Sequence, residues 1–211
     1  MSNNTLQFIY KQKLVAVIRG IEGSEVLSVA QALKEGGINV LEVAADTPGI
    51  LSIIEALNEA FGDEMIVGAG TVLDAETARA TILAGAKFIF SPTVNSRTIK
   101  MTKRYDVVSI PGALTPTEIL KAYEAGADII KVFPANIMGP KYIKDIHAPL
   151  PHIPLMPTGG VDLNNINEYF KNGAVAAGLG SALVNARKLM NPSALKDLKT
   201  KALQFRGKVS L

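Results

Sequence analysis

The 211-residue chain predicts an α/β fold, a (β/α)8 TIM barrel with an extra N-terminal helix. Three observations predict it. Eight short apolar runs recur, with starts about 20–26 residues apart. The runs are largely apolar with little alternation, as suits strands covered on both faces. Between the runs lie amphipathic segments that open on capping residues and close on glycine, the asymmetry expected of helices. Eight such units in about 200 residues approach the smallest size of this barrel. The alternative, an open doubly wound sheet, seldom needs so many evenly spaced units, and no G-x-G-x-x-G opens a first helix. One domain over residues 1–211 is expected, because no linker or low-complexity tract interrupts the pattern.

The elements follow in order. Asn4–Lys11 reads as the extra helix, placed to plug the barrel bottom. Leu14–Ile18 is the first run. Ser24-Glu25 then opens a segment carrying Val26, Leu27, Val29, Ala30 and Leu33, which Gly36-Gly37 ends. Val40–Val43 is the second run, and Thr47-Pro48 precedes a segment with Ile50, Ile53, Ile54 and Leu57, closed near Gly62. Met65–Val67 is the third, followed by a helix from Asp74 to Gly85. Phe88–Phe90 and Val107–Ile110 are the fourth and fifth. Thr115-Pro116-Thr117-Glu118 sets proline at a first helical position in a segment ending at Gly126. Ile129–Phe133 and Leu155–Met156 are the sixth and seventh. Asp162 and Asn164 open a segment that stops at Asn172-Gly173, and Val175–Leu179 is the eighth. Glycine recurs just before strands, at Gly37, Gly85, Gly126 and Gly173. This predicts a tight helix-to-strand turn through a left-handed glycine.

Composition removes several function classes. With 48% hydrophobic and 19% charged residues, the chain forms a core and is not disordered as a whole. A net charge of +3 with no basic tail gives no reason to expect a nucleic-acid partner. The absence of cysteine excludes disulfides, thiol catalysis and thiolate metal sites, and it fits a cytoplasmic protein. Two histidines, His147 and His152, leave little for a metal centre or a His-based triad. The opening MSNNTLQFIYKQK has no apolar h-region, and no window reaches about 18 uncharged apolar residues, so neither a secretory signal nor a membrane span is expected.

Function in this barrel sits at the C-terminal ends of the strands. Those ends carry Arg19, Glu42, Gly68-Ala69-Gly70-Thr71, Ser91-Pro92, Pro111-Gly112, Lys131 with Phe133-Pro134, Thr158-Gly159-Gly160 and Gly178–Ser181. Lys131 is flanked by Ile129, Ile130, Val132 and Phe133. Desolvation there lowers a lysine pKa, and a neutral amine can attack a carbonyl to form a Schiff base. An ion-paired or snorkelling lysine is the alternative. Glu42 is the second charge inside an apolar run. Alternate strands feed the same interior layers, so Glu42 on the second strand and Lys131 on the sixth can approach each other. A carboxylate there is either a proton shuttle or a plain counter-ion. Pro157–Gly160 and Gly178–Ser181 follow the seventh and eighth runs, the two loops with which many barrels bind phosphate. Simple tight turns are the alternative.

Taken together, these residues resemble the class I 2-keto-3-deoxy-6-phosphogluconate aldolases, including members that also act on 4-hydroxy-2-oxoglutarate. The resemblance runs from V-A-V-I-R-G to G-S-A-L-V. It rests on L-E-V, V-G-A-G-T-V, F-I-F-S-P, P-G-A-L-T-P-T-E, I-K-V-F-P-A and P-T-G-G-V. It implies a lyase that forms pyruvate and glyceraldehyde 3-phosphate in Entner-Doudoroff carbohydrate metabolism, with no cofactor or metal, assembled as a homotrimer. By the same resemblance Lys131 forms the Schiff base and Glu42 moves protons. Thr71 contacts the pyruvate portion, Pro92 and Phe133 line the pocket, and Thr158 lies beside the phosphate loop. Gly159, Gly160, Gly180 and Ser181 match the phosphate cradle, and Arg19 matches an arginine found in part of the family. One stretch departs. After L-E-V the family commonly shows a threonine and then an arginine or threonine two residues on, whereas this chain reads Val43-Ala44-Ala45-Asp46-Thr47. Either Arg19 holds the substrate carboxylate, with Asp46 orienting it or reading a sugar hydroxyl, or the preferred substrate differs. A rim salt bridge between Arg19 and Asp46 is the plain alternative. The 6-phosphogalactonate epimer, a phosphosugar isomerase or epimerase on the same barrel, and a non-catalytic phosphate-ligand binder stay open as rival readings.

Overall fold

Each apolar run becomes a strand, and glycine turns return the chain to the sheet. The computed structural model describes residues 2–186 and 193–209. Helix α1 (Ser2–Gln12) leads into β1 (Leu14–Ile18), α2 (Gly23–Glu35), β2 (Val40–Ala44), α3 (Ile50–Phe61), β3 (Ile66–Gly70) and α4 (Ala75–Leu83). Then come β4 (Phe88–Phe90), α5 (Ser96–Arg104), β5 (Val108–Ile110), β6 (Gly112–Ala113), α6 (Pro116–Glu124) and β7 (Ile130–Val132). The chain continues through α7 (Ala135–Met138), α8 (Lys141–His147), β8 (Leu155–Pro157), α9 (Ile166–Lys171), β9 (Ala177–Leu179) and α10 (Ala194–Val209). Gly37, Gly85, Gly126 and Gly173 all take positive φ, between 80° and 105°, so the predicted left-handed turn recurs before β2, β4, β7 and β9. Asp74 caps α4 by accepting from the Thr77 N–H at 2.6 Å, and Thr115 and Glu118 form a reciprocal capping box ahead of Pro116.

All the strands pair in parallel, and the sheet curls. It is recorded as two ladders, β5-β4-β3-β2-β1-β9 and β6-β7-β8. The predicted fifth run becomes β5, and a further short strand, β6, follows it beyond Pro111, which has no N–H and interrupts the ladder. Its carbonyl still accepts from Lys131 N–H at 2.9 Å, and the Ser109 carbonyl accepts from Asp128 N–H at 3.0 Å. At the other seam a single bridge joins Thr158 to Gly178.

Alternation along the strands sorts the core into two clusters. Leu14, Ala16 and Ile18 of β1 face outward and pack with Val29, Leu33, Ile54 and Leu57 of the helices. Val15 faces inward, with Val40, Phe88, Phe90, Val108, Ile110 and Met156. Helix α1 covers this inner cluster, burying Ile9 fully, with Leu6 and Tyr10 packed beside it. No helix among the described residues is long and apolar enough to cross a membrane.

Asp128 ties the first seam together. Its carboxylate accepts from Lys103 Nζ at 2.7 Å and from the Ser109 N–H of β5 at 2.8 Å, so a side chain stands in for a ladder partner. Asp128→Ala is expected to cost about 1.5–3 kcal/mol, the usual worth of hydrogen bonds to a charged group. For a chain of this size that is a loss of roughly 3–12 °C in Tm, and Asp128→Asn, which keeps an acceptor for Ser109, should lose less. Thermal melts of the two variants check this, and an unchanged Tm in Asp128→Ala would show that the seam holds without it.

Candidate active site

The carboxyl ends of the strands surround a cavity of about 630 Å³. Of the residues expected from sequence, Arg19, Glu42, Thr71, Pro92, Lys131, Phe133, Thr158, Gly159, Gly160, Gly180 and Ser181 line it. Asp46 does not. It is exposed and lies two residues beyond β2, where the Thr47 N–H turns back to the Ala44 carbonyl at 2.9 Å and carries the chain away from the cavity wall. A second cavity of about 590 Å³, lined by Tyr10, Lys13, Phe170, Lys208 and their neighbours, has no carboxylate side chain among the described residues of its wall.

Lys131 sits in the middle of β7 and is 6% exposed. Its Nζ lies 4.2 Å from the centre of the Phe90 ring and 4.5 Å from that of Phe133. The two π-faces favour a cation electrostatically. Burial outweighs them and lowers the Lys131 pKa; the Glu42 charge opposes that shift and the Arg19 charge adds to it. Glu42, on β2, is 1% exposed, and its Oε2 has no hydrogen-bond partner among the described residues. Burial pushes its pKa up to about 7, against the pull of Lys131 and then Arg19, while Asp46 adds a smaller upward push. Lys131 thus exerts the strongest charge effect on Glu42, in keeping with the even-strand argument, yet the two form no salt bridge. A buried amine with weakened proton affinity and a buried carboxylate with strengthened affinity share one cavity. The first can act as a nucleophile, and the second can take and return a proton near neutral pH.

Arg19, at the mouth, does not pair with Asp46. Its guanidinium donates to the Thr71 hydroxyl. Thr71 has φ 56°, a left-handed conformation rare for a β-branched residue, just past β3. The strained backbone turns the Thr71 side chain to meet Arg19 at the cavity edge.

The glycine loop after β8 is braced from behind. Gly159 and Gly160 take φ of 88° and 73°. The Gly159 carbonyl accepts from Asn136 N–H at 3.0 Å, and the Gly160 carbonyl from Asn165 Nδ2 at 2.8 Å. The bridge between Thr158 and Gly178 engages the Gly159 N–H, whereas no carbonyl among the described residues is bonded by the N–H of Gly160 or Ser181, which leaves those two donors for an anion. Thr158 Oγ1 is buried without a partner in the same wall. Sequence reasoning missed Phe90, Asn136 and Asn165, together with Val17, Val161 and Asn185 of the lining. The F-I-F alternation, which turns Phe88 and Phe90 to one face, was the available signal for Phe90. Nothing in the local sequence marks the two asparagines.

Comparison with known proteins bears on this site. The sequence model for KDPG and KHG aldolase matches residues 6–198. The chain is 36% identical to the 2-dehydro-3-deoxy-6-phosphogalactonate aldolase of Escherichia coli over 182 residues, 86% of this chain and 89% of that protein. It is 34% identical to the 2-dehydro-3-deoxy-phosphogluconate aldolase of Treponema pallidum over 178 residues, 84% of each chain. Among solved structures, the KDPG aldolase of Legionella pneumophila, with pyruvate captured at low pH as a covalent carbinolamine intermediate, superposes with a TM-score of 0.81 at 28% identity, covering 95% of both chains. Matched along most of its length to enzymes that are lyases, the chain belongs to the KDPG and KHG aldolase family.

Proposed function

We propose that this protein is a Schiff-base aldolase that cleaves 2-keto-3-deoxy-6-phosphogluconate to pyruvate and glyceraldehyde 3-phosphate. The observation that carries the reading is Lys131, a buried amine of lowered proton affinity between two aromatic rings, facing a cavity it shares with Glu42. The Lys131 amine adds to the C2 carbonyl of the substrate, and protonated Glu42 gives its proton to the resulting hydroxyl, which leaves as water and yields a protonated imine. The Glu42 carboxylate takes the proton of the C4 hydroxyl. The C3–C4 electron pair then moves into the imine, which becomes a neutral enamine as the aldehyde departs. Glu42 returns its proton to C3, and water releases pyruvate from Lys131. The phosphate rests on the two glycine loops, at Gly159, Gly160, Gly180 and Ser181, where the N–H groups of Gly160 and Ser181 are open to it, and Arg19 with Thr71 holds the carboxylate. Backbone hydrogen bonds at both seams support reading the two ladders as one (β/α)8 barrel, capped at its base by α1. Family resemblance alone supports a cytoplasmic homotrimer.

The galactonate epimer is the second reading. It is favoured by the likeness to the Escherichia coli enzyme and would give the same products. Cleavage of 4-hydroxy-2-oxoglutarate to pyruvate and glyoxylate needs the same groups except the phosphate loops. Steady-state kinetics with the two epimers and the unphosphorylated acid rank the three.

Incubation with pyruvate followed by borohydride should leave a stable pyruvate-derived adduct on wild-type protein and none on Lys131→Ala. Lys131→Arg should fail equally, since guanidinium stays protonated. Near-normal turnover in either variant would end the imine mechanism. A rival isomerase or binder would show no adduct even in the wild type.

Glu42 must be ionised to take a proton, and its raised pKa keeps it protonated below about 7. Exchange of pyruvate methyl protons with solvent should therefore fall as pH drops through about 7. Glu42→Gln should still be trapped by pyruvate but exchange about 10²–10⁴-fold more slowly, with no such midpoint. Exchange at the wild-type rate would reduce Glu42 to a counter-ion.

Ser181 is exposed and free of positive φ, so a charge can be placed there without backbone strain. Ser181→Asp should raise KM for the phosphorylated substrates far more than for 4-hydroxy-2-oxoglutarate, by like-charge repulsion. Equal losses on both would mean that the loop is only a turn.

A further inference from the structure

Strand β3 reads Ile66-Val67-Gly68-Ala69-Gly70, and its two faces differ. Val67 and Ala69 pack outward among the helix-facing residues. On the inner face, beyond Ile66, both positions are glycine, although the inside of such a sheet is ordinarily filled by side chains. Backbone conformation does not call for glycine here, because neither residue has positive φ. Room does. A Cβ on Gly68 would collide with the Phe88 ring. A Cβ on Gly70 would fall well inside van der Waals contact with both carboxylate oxygens of Glu42. Glu42 lies on the neighbouring strand in register with Gly68, and its side chain reaches diagonally to Gly70. The carboxylate therefore rests against bare backbone.

We infer that Gly70 is a positioning residue for proton transfer, its missing side chain being the slot that fixes where the Glu42 carboxylate sits beside Lys131. The inference rests on the proposed proton-transfer role of Glu42 and deepens it. A methyl group at position 70 leaves the carboxylate two ways out. Toward Lys131 it forms an ion pair; toward the cavity mouth it meets water. Either move makes the carboxylate a weaker base, and misplacement of a catalytic group by about 1 Å costs up to about 10²-fold. The rival account is that Gly70 serves strand packing and has no bearing on Glu42.

The test compares wild type, Gly70→Ala, Glu42→Asp, the double variant Gly70→Ala/Glu42→Asp, and the pair Glu42→Ala and Gly70→Ala/Glu42→Ala. Pyruvate trapping, methyl-proton exchange against pH, and thermal melting are measured on each. Gly70→Ala should still trap pyruvate but exchange about 10²-fold more slowly, with its pH midpoint below that of the wild type. Aspartate is shorter by one methylene and vacates the space, so Gly70→Ala/Glu42→Asp should exchange several-fold faster than Gly70→Ala. Glu42→Asp alone, with the slot open, should exchange more slowly than wild type. Melting gives a readout independent of catalysis. Any stability lost in Gly70→Ala should return in Gly70→Ala/Glu42→Ala, where the new methyl fills the emptied space. This holds even if Gly70→Ala is too unstable to assay. Wild-type exchange and midpoint in Gly70→Ala would overturn the inference, as would a double variant that regains neither rate nor melting temperature. The underlying reading fails separately. If Glu42→Gln exchanges normally while the melting pair still shows coupling between positions 42 and 70, the slot is real but the proton-transfer role is not.

Discussion

The site depends on keeping two opposite charges dry without letting them neutralise each other. Removing a lysine and a glutamate from water costs several kcal/mol per ion. A direct ion pair would recover part of that cost, but it would also strengthen the proton affinity of Lys131 and weaken that of Glu42. Both shifts run against the proposed chemistry. The protein instead surrounds the amine with Phe90 and Phe133 and lays the carboxylate against bare strand. Charge is tolerated, and reactivity is kept. The large inner and outer clusters, with Phe88 edge-on to Phe90 at 6.3 Å, hold this otherwise unfavourable arrangement in place.

Much of the fold was legible because burial on both faces leaves an unbroken apolar run, and glycine marks each return to the sheet. The short strand β6 was less legible, because the fifth apolar run ends at Ile110, before it. Pro111 sits beside an apolar run in sequence, and its effect on pairing depends on which neighbour needs its N–H. Helix α5 gave little signal, since Ser96–Arg104 is mostly polar and buries only Thr98, Ile99 and Thr102. Its cap, Asn95, accepts from the N–H groups of Arg97 and Thr98, yet no strong apolar stripe follows to draw attention to it.

At the site, Lys131 and Glu42 stood out because a charge inside an apolar run is costly and needs a reason. Phe90 did not, because an aromatic residue in a strand needs none. Asp46 illustrates a different limit. Neighbouring strand ends place two residues on one rim, but they do not say which way a turn carries each one. Arg19 bonds Thr71 on β3's far end rather than Asp46, and the left-handed Thr71 that makes this possible is invisible in composition or periodicity. The braces Asn136 and Asn165 act through distant carbonyls, which only the folded chain brings within reach.

The aromatic sleeve around Lys131 also gives the protein a chemical address. An ε-amine whose proton is held less tightly than usual offers its lone pair to any electrophile that reaches it. Here the approach runs through a cavity of about 630 Å³ whose mouth carries Arg19. Compact anionic acylating agents or aldehydes fit that route better than bulky or cationic ones. A covalent tag of that shape would concentrate on one lysine of many without any engineered handle. Occupancy of the cavity by a keto acid would shield it, turning the rate of labelling into a direct gauge of ligand binding.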